Sequence, residues 1–194
     1  MISVNSTSLW MTFEELIGLI EGQNKQAVAR FMQDSDNSLA VETSPGSRYS
    51  HHNWRGGYKE HIRQTMAIAK DLYALFQDTD RIKELPEQEC FDLSDALIVM
   101  FLHDIEKPFM YKIDEFGYIE TINKMTKCQR KVFRQNIIDD YGFVISPAME
   151  NALLYVEGVR DDDYLPGERA DWPLAAICHA ADNLSARGFY SYRG

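Results

Sequence analysis

Apolar residues recur at helical spacing over most of the chain, and this pattern predicts an all-α protein. Between residues 58 and 77, apolar side chains return at every third or fourth position and form one face of a helix. Residues 96–102 are apolar throughout and residues 172–187 on nearly every side, so both segments are predicted to be buried helices. Residues 96–102 alone would also fit a buried strand, but an N-cap pattern at Asp92 and Asp95 favours a helix.

Capping and proline signals predict the remaining elements. They place shorter helices at about residues 12–20, 24–33, 124–141 and 146–157, and they end the helix that opens after Asp92 at Pro108. Residues 109–121, with a turn sequence in their middle, predict a small β-hairpin. The polar segments 34–57 and 158–169 are predicted to be loops. A loop as long as the first is usually functional in a compact domain.

Length and cysteine usage indicate a single cytoplasmic domain. A chain of 194 residues fits one domain with a substantial core. Its three cysteines are far apart and form no CxxC pair, which is typical of a reducing compartment. Residues 1–10 contain no basic residue and no apolar run, so no signal peptide is expected, and no apolar stretch is long enough to span a membrane.

Charge narrows the choice of partners. The formal net charge is −10, so the surface should repel nucleic acid backbones and anionic membranes, whereas small phosphorylated molecules remain compatible with a local positive site. A basic stripe lies along the helix predicted at about residues 124–141. We expect it to be a solvated helix face rather than a nucleic-acid groove, because no aromatic residues for base stacking alternate with it. The stripe consists of Lys124, Lys127, Arg130, Lys131 and Arg134. The aromatic tail at residues 189–192 is predicted to pack or to form a homo-oligomer contact.

Four residues carry metal-ligating side chains into segments that should be buried. His61 lies on an apolar helix face, His103 and Asp104 follow the most hydrophobic segment, and Asp182 lies within the last buried helix. A buried carboxylate costs several kcal/mol unless it is paired or coordinated. One divalent cation would satisfy all four side chains. Mixed His and carboxylate ligands suit Mn, Fe, Co, Ni or Zn, and Mg less well.

The order His61, His103-Asp104, Asp182 resembles the H…HD…D pattern of the HD superfamily of metal-dependent phosphohydrolases. The flanking residues resemble it too. The stretch that ends at His61 is similar to the family's HHxxxGGxxEH motif, residues 101–108 are similar to HDIGKP, and residues 180–187 are similar to ADxLxAR. The resemblance covers about residues 48–188, so we expect one HD-type domain over 1–194 with N-terminal helices and a loop at 1–47.

What the resemblance implies is a helical bundle that hydrolyses phosphate esters, usually those of nucleotides. Two departures from the family pattern bear on the number of metal ions. Glu106 replaces the glycine of HDIGK, and Glu157 lies near where many relatives have a histidine pair for a second metal. Residues 109–178 contain no histidine. We therefore expect one metal ion per chain, and this argues against the two-iron oxygenase chemistry of some relatives.

The remaining candidate residues are assigned by chemistry. A bound metal would lower the pKa of a water and polarise a phosphoryl oxygen, and Glu106 or Glu157 could hold or deprotonate that water. Lys107 could contact a phosphate oxygen or form a surface salt bridge. His52 and Arg55 precede the first ligand and could contact phosphate or base, although loop residues of this kind are equally often solvated.

The sequence thus predicts a metal-dependent phosphohydrolase acting on a nucleotide or similar small molecule, as a nucleotidase, nucleoside triphosphohydrolase or phosphodiesterase. One alternative is a non-catalytic HD module that uses its metal site to sense a nucleotide. The other is the two-iron oxygenase. The substrate's base and number of phosphates are not predicted.

Overall fold

The computed structural model describes residues 11–79, 81–159 and 170–188, which form a mostly helical structure with one small antiparallel hairpin. The predicted all-α class is confirmed. In chain order the helices are α1 (Phe13–Gly18), α2 (Gly22–Gln33), α3 (Ser35–Thr43), α4 (Gly57–Gln77), α5 (Leu93–Leu102), α6 (Lys107–Met110), α7 (Lys127–Tyr141), α8 (Pro147–Tyr155) and α9 (Pro173–Asn183). The strands are β1 (Tyr111–Ile113) and β2 (Ile119–Thr121). Two 3-10 turns span Arg81–Glu84 and Glu87–Glu89, and a π-helical turn, Leu184–Gly188, directly follows α9.

Helix α5 lies at the centre of the core. All seven of its residues from 96 to 102 are buried, because α4, α8 and α9 pack around it. Helix α4 also packs against α9, and α8 packs against α9. The apolar segment that fits either a helix or a strand is thus a helix, opened by the Asp92 capping box. This packing brings the end of α5, the first half of α4 and the end of α9 together.

The predicted loop at residues 34–57 is wrong in its first part, where α3 forms. Asp34 caps this helix by accepting hydrogen bonds from the backbone N–H groups of Asp36 and Asn37 (3.0 and 3.2 Å). Only Asn37 and Val41 are buried, and Leu39 is 62% exposed. The helix therefore lacks the apolar periodicity that a sequence pattern detects, and capping stabilises it instead.

The predicted end of α5 at Pro108 is also wrong. Helix α5 ends at Leu102, with His103 as its C-cap, and the chain turns before α6 begins at Lys107. Pro108 lies in the first turn of α6, where its missing N–H costs no helical hydrogen bond. This early turn directs Asp104 into the interior.

The hairpin is confirmed, although it is shorter than predicted. Tyr111 pairs with Thr121 and Ile113 with Ile119, and the Asp114 side chain accepts backbone N–H bonds that close the turn. Helix α7 begins at Lys127 rather than at residue 124, because Thr126 forms a capping box with Gln129. Most of the predicted acidic loop at 158–169, and the tail at 189–192, fall outside the described residues. Within the described ranges, no helix is long and apolar enough to cross a membrane.

Candidate metal centre

Four side chains from three parts of the chain converge where α4, α5 and α9 meet. His61 comes from α4, His103 and Asp104 from the end of α5, and Asp182 from the last turn of α9. Each offers one ligand atom, and the four atoms all lie within 4.8 Å of one another. The predicted convergence of these residues is therefore present, and the cluster could bind a metal ion.

Each imidazole faces both carboxylates. His61 Nε2 lies 3.2 Å from Asp182 Oδ1 and 3.4 Å from Asp104 Oδ2. His103 Nε2 lies 3.3 Å from Asp104 Oδ2 and 3.7 Å from Asp182 Oδ1. His61 is fully buried and the Asp104 side chain is 8% exposed, whereas the Asp182 side chain is 24% exposed. The cluster thus opens towards solvent on the Asp182 side.

The remaining nitrogen of each histidine is bound outside the cluster. His103 Nδ1 lies 2.8 Å from the Met100 carbonyl oxygen, which can only accept, so Nδ1 carries the proton. His61 Nδ1 lies 3.0 Å from Ser185 Oγ, and Ser185 donates its own proton to Gln64 Oε1 at 3.0 Å. Ser185 is therefore the acceptor for His61 Nδ1–H. When the two rings are neutral, Nε2 of each carries a lone pair directed at the cluster.

These lone pairs give a test of whether a cation fits the site. His61 Nε2 and His103 Nε2 are buried and have no hydrogen-bond partner among the described residues. Both nitrogens lie within ion-pair distance of the two carboxylates. Two lone pairs facing two carboxylates in a buried space repel one another unless a positive charge lies between them. Without a metal, a proton on His103, whose pKa is raised to about 10, supplies this charge. A divalent cation would satisfy all four groups at once, so the residues fit a metal.

The electrostatics of the cluster also favour positive charge. Burial lowers the pKa of His103, but Asp104 and Asp182 outweigh it and raise that pKa to about 10. Burial raises the pKa of Asp182, but the close contacts with the His103 and His61 imidazoles outweigh burial and hold the pKa well below its ordinary value. The pKa of Asp104 is likewise held low against its burial, first by Lys107 and then by His103. The carboxylates therefore stay ionised and stabilise a cation among them.

Lys107 contacts Asp104, one of the four ligand candidates. Its Nζ forms an ion pair with Asp104 Oδ2, and its side chain is 19% exposed. Burial alone would lower the pKa of Lys107, but Asp104 raises it above its ordinary value. The amine thus compensates one of the two buried carboxylates. Two roles were predicted for Lys107, a phosphate contact and a surface salt bridge. A salt bridge is present, but its partner Asp104 is buried.

Glu106 and Glu157 occupy different environments. Glu106 is 3% exposed, and Arg130 Nη1 lies 3.6 Å from its Oε1. Burial, together with the neighbouring Asp104, raises the pKa of Glu106. The Glu157 side chain is 53% exposed and lies 3.6 Å from Lys127 Nζ. Glu157 lines the cavity that opens at Asp182, and Glu106 does not.

His52 lies behind His61 rather than in the open cavity. It is fully buried with a φ of +57°, its Nδ1 is 2.9 Å from His51 Nδ1, and its Nε2 is 3.1 Å from Gln64 Oε1. Burial, followed by the charge of His61, lowers the pKa of His52 to about 3, so the ring is neutral. Arg55 is exposed and, like His52, does not line the cavity beside Asp182.

A second group of three imidazoles shares His61 with the cluster. Ring nitrogens of His51, His52 and His61 lie close enough to hold an ion. However, both nitrogens of His52 are already hydrogen-bonded, and His61 Nδ1 is bound to Ser185. The group with two carboxylates is therefore the better site for a divalent cation.

The cavity beside Asp182 is lined by further polar and aromatic residues. Its volume is about 1080 Å³, including the part open to solvent. Besides Glu157 and Asp182, its lining includes Tyr49, His51, His179 and Arg187. Arg187 belongs to the π-helical turn, a feature frequent at functional sites. His179 Nδ1 donates to the Val156 carbonyl at 2.7 Å and is not part of the four-residue cluster.

Comparisons with models of protein families, with curated proteins and with solved structures found no match for this chain. Only the described residues of the chain therefore indicate what the protein can bind. They form a helical protein with a buried cluster of two histidines and two aspartates that could bind a metal ion.

Proposed function

We propose that this protein is a metal-dependent phosphohydrolase that acts on a phosphate ester or anhydride of a nucleotide or similar small molecule. The observation that carries the proposal is the pair of buried Nε2 atoms, on His61 and His103. Within the described part of the chain they lack hydrogen-bond partners, and they face two ionised carboxylates. Such a site needs a cation, and it is open on one side. The H…HD…D resemblance supports phosphate-ester hydrolysis as its chemistry.

His61, His103, Asp104 and Asp182 would hold the ion. A mixed set of imidazole and carboxylate ligands suits Mn, Fe, Co, Ni or Zn, and Mg less well. Bound there, a divalent cation would supply Lewis acidity, which makes water nucleophilic at neutral pH and polarises a phosphoryl oxygen. Of these four side chains Asp182 is the most exposed, so substrate would enter on its side.

The chain's own residues would divide the remaining work. Glu157 is the favoured general base, because it is exposed at the cavity that Asp182 also lines. Arg187 lines the same cavity and could bind phosphate oxygens. Lys107 would hold Asp104 in place and compensate its charge. Glu106 is buried next to Arg130 and does not line this cavity, so it would influence the site only indirectly.

Metal analysis and a substrate screen test the proposal. Protein purified without chelator should contain a divalent metal. Metal-free protein supplied with Mn, Co, Ni or Mg should release phosphate, or a nucleotide, from at least one nucleoside mono-, di-, tri- or cyclic phosphate. His103→Ala and Asp104→Ala should lose both metal and activity while keeping the helical circular dichroism spectrum. Asp139→Asn, at an exposed aspartate of α7, is the matched control and should keep both.

Three results would contradict the proposal. Full activity of both ligand variants would show that the cluster is not the reaction centre. Metal-dependent nucleotide binding without any turnover would contradict hydrolysis and would support the alternative of a non-catalytic nucleotide-sensing module. Bound iron with oxygen uptake would instead favour an oxygenase.

A further inference from the structure

A second cavity, next to the cluster, is lined by cations of α7. Its lining includes the four basic residues Lys127, Arg130, Lys131 and Arg134, together with His103 and two glutamates, Glu106 and Glu157. It is small, about 370 Å³ including the part open to solvent. Glu157 lines both this cavity and the one at Asp182, so the two cavities adjoin.

The cations of this cavity are only weakly neutralised by its carboxylates. Arg130 Nη1 lies 3.6 Å from Glu106 and 3.7 Å from Glu157, beyond hydrogen-bonding distance. Arg130 Nε is buried and has no hydrogen-bond partner among residues 11–79, 81–159 and 170–188. Lys127 Nζ is 3.6 Å from Glu157. A buried guanidinium N–H without an acceptor is unfavourable, and an oxyanion in the cavity would supply one.

Two further cations strengthen the positive field. Arg134 donates to the carbonyl oxygens of His103 (3.1 Å) and Leu153 (3.2 Å), so its charge faces carbonyls rather than a carboxylate. Lys131 is exposed and has no ion-pair partner within residues 11–79, 81–159 and 170–188. Four cations against two carboxylates leave this cavity positive in a chain whose net charge is −10.

We infer that Lys127, Arg130 and Lys131 form a binding site for a phosphoryl oxyanion, separate from the metal-binding cluster. A phosphoryl group offers several acceptor oxygens to guanidinium and ammonium donors, and its small size suits the cavity. A nucleic acid fits less well, because no exposed aromatic residue for base stacking lines the cavity. The basic stripe is thus not simply a solvated face, since Arg130 and Arg134 point inward.

Inorganic pyrophosphate tests this site without requiring catalysis. Its affinity for metal-free protein is measured by isothermal titration calorimetry, after the chelator has been removed. Lys127→Gln/Lys131→Gln and Arg130→Gln should each weaken binding about tenfold or more, because each removes charge-assisted hydrogen bonds. Lys112→Gln removes an equivalent exposed charge on the hairpin and should leave the affinity unchanged.

The outcomes separate this inference from the proposed function. Absent pyrophosphate binding, equal affinity in all variants, or an equal loss in Lys112→Gln would overturn the site, whatever the enzyme hydrolyses. Selective loss in the α7 variants supports the site even if no activity is ever found.

Kinetics of the metal-loaded protein then distinguish two sources of the phosphoryl group. If it belongs to the substrate, Lys127→Gln/Lys131→Gln should raise KM for nucleoside di- or triphosphates but not for monophosphates. If it is a separate anion, pyrophosphate should still bind at saturating substrate. Both results support the site.

Discussion

At the scale of single residues, hydrogen bonds from outside the cluster determine which histidine nitrogen faces it. Met100 fixes the His103 ring through its carbonyl, and Ser185 fixes the His61 ring. Gln64 completes this arrangement, because its Oε1 accepts from Ser185 and lies 3.1 Å from His52 Nε2. Partners of this kind orient metal ligands and hold them in the binding tautomer.

Ser185→Ala tests this arrangement. Without the hydroxyl, His61 Nδ1 has no acceptor and the ring is free to rotate or change tautomer. We expect metal affinity to fall by about 10- to 100-fold, with little change in helical content. Ser35→Ala, at an exposed serine of α3, is the control. Unchanged metal affinity in Ser185→Ala, measured by competition with a chromogenic chelator, would contradict the assigned role.

The ligand candidates could be predicted from the sequence, but their supports could not. His61, His103, Asp104 and Asp182 stand out because polar, metal-ligating side chains interrupt apolar segments. Ser185 and Gln64 are ordinary polar residues in helical segments, and only the packing of α4 against α9 brings them together. Lys107 shows the same limit, since its spacing from Asp104 suggests a pair but not that the pair is buried.

At the scale of elements, the prediction succeeded where apolar periodicity marks a helix and capping residues define its ends. It failed for α3, which is almost without apolar burial, and for the end of α5, where the chain turns before Pro108. Both failures involve the surroundings of the cluster. The turn after α5 directs Asp104 inward, and the segment after α3 carries His51 and His52. Local propensity is a weak guide where tertiary contacts decide the backbone.

The start of α4 depends on Gly57. A Cβ at this position would overlap the carbonyl oxygen of His52, and the Gly57 N–H donates to Trp54. We expect Gly57→Ala to lower the free energy of unfolding by about 1–3 kcal/mol, because the loop must move away from α4. The affinity for metal should also fall, because His52 packs behind His61 and its displacement would disturb the His61 ring. Gly18→Ala, where a Cβ meets nothing within 4 Å, should not destabilise the protein in urea denaturation.

The start of α5 should respond to pH through Asp95. Burial, then the charge of Asp92, raises the pKa of Asp95 to about 6. Between its ordinary value near 4 and this value, the folded state binds more protons than the unfolded state, so stability falls as pH rises. Asp95→Asn should therefore gain stability relative to wild type from pH 4 to pH 8, by about 1 kcal/mol after allowance for solvent screening. A stability difference that stays constant over this pH range would show that the pKa of Asp95 is not raised.

At the scale of the whole molecule, the cluster exists only when three distant parts of the chain have packed together. The contacts among α4, α5 and α9 form the centre of the core, and they also bring the four candidate ligands together. Ligand atoms assembled by folding are not preformed in the unfolded chain, so metal binding should favour the folded state.

Metal should therefore raise the melting temperature. At a free metal concentration about 100 times Kd, linkage contributes about 2.7 kcal/mol, which corresponds to a shift of roughly 5–11 °C for a chain of this size. The shift should be reversed by chelator and absent in His103→Ala. An equal shift in that variant, measured by differential scanning calorimetry, would place metal binding elsewhere.

The last prediction concerns the number of metal ions, which we expect to be one per chain. The four-residue cluster can hold one ion and leave positions for water and substrate. A second ion nearby would need its own ligands, yet His179 donates to Val156, both nitrogens of His52 are hydrogen-bonded, and Glu106 lies near Arg130. Elemental analysis of protein purified without chelator should give one equivalent. Two equivalents, of which His51→Ala removes one and His103→Ala removes the other, would instead show that the three imidazoles at His51, His52 and His61 form a second site.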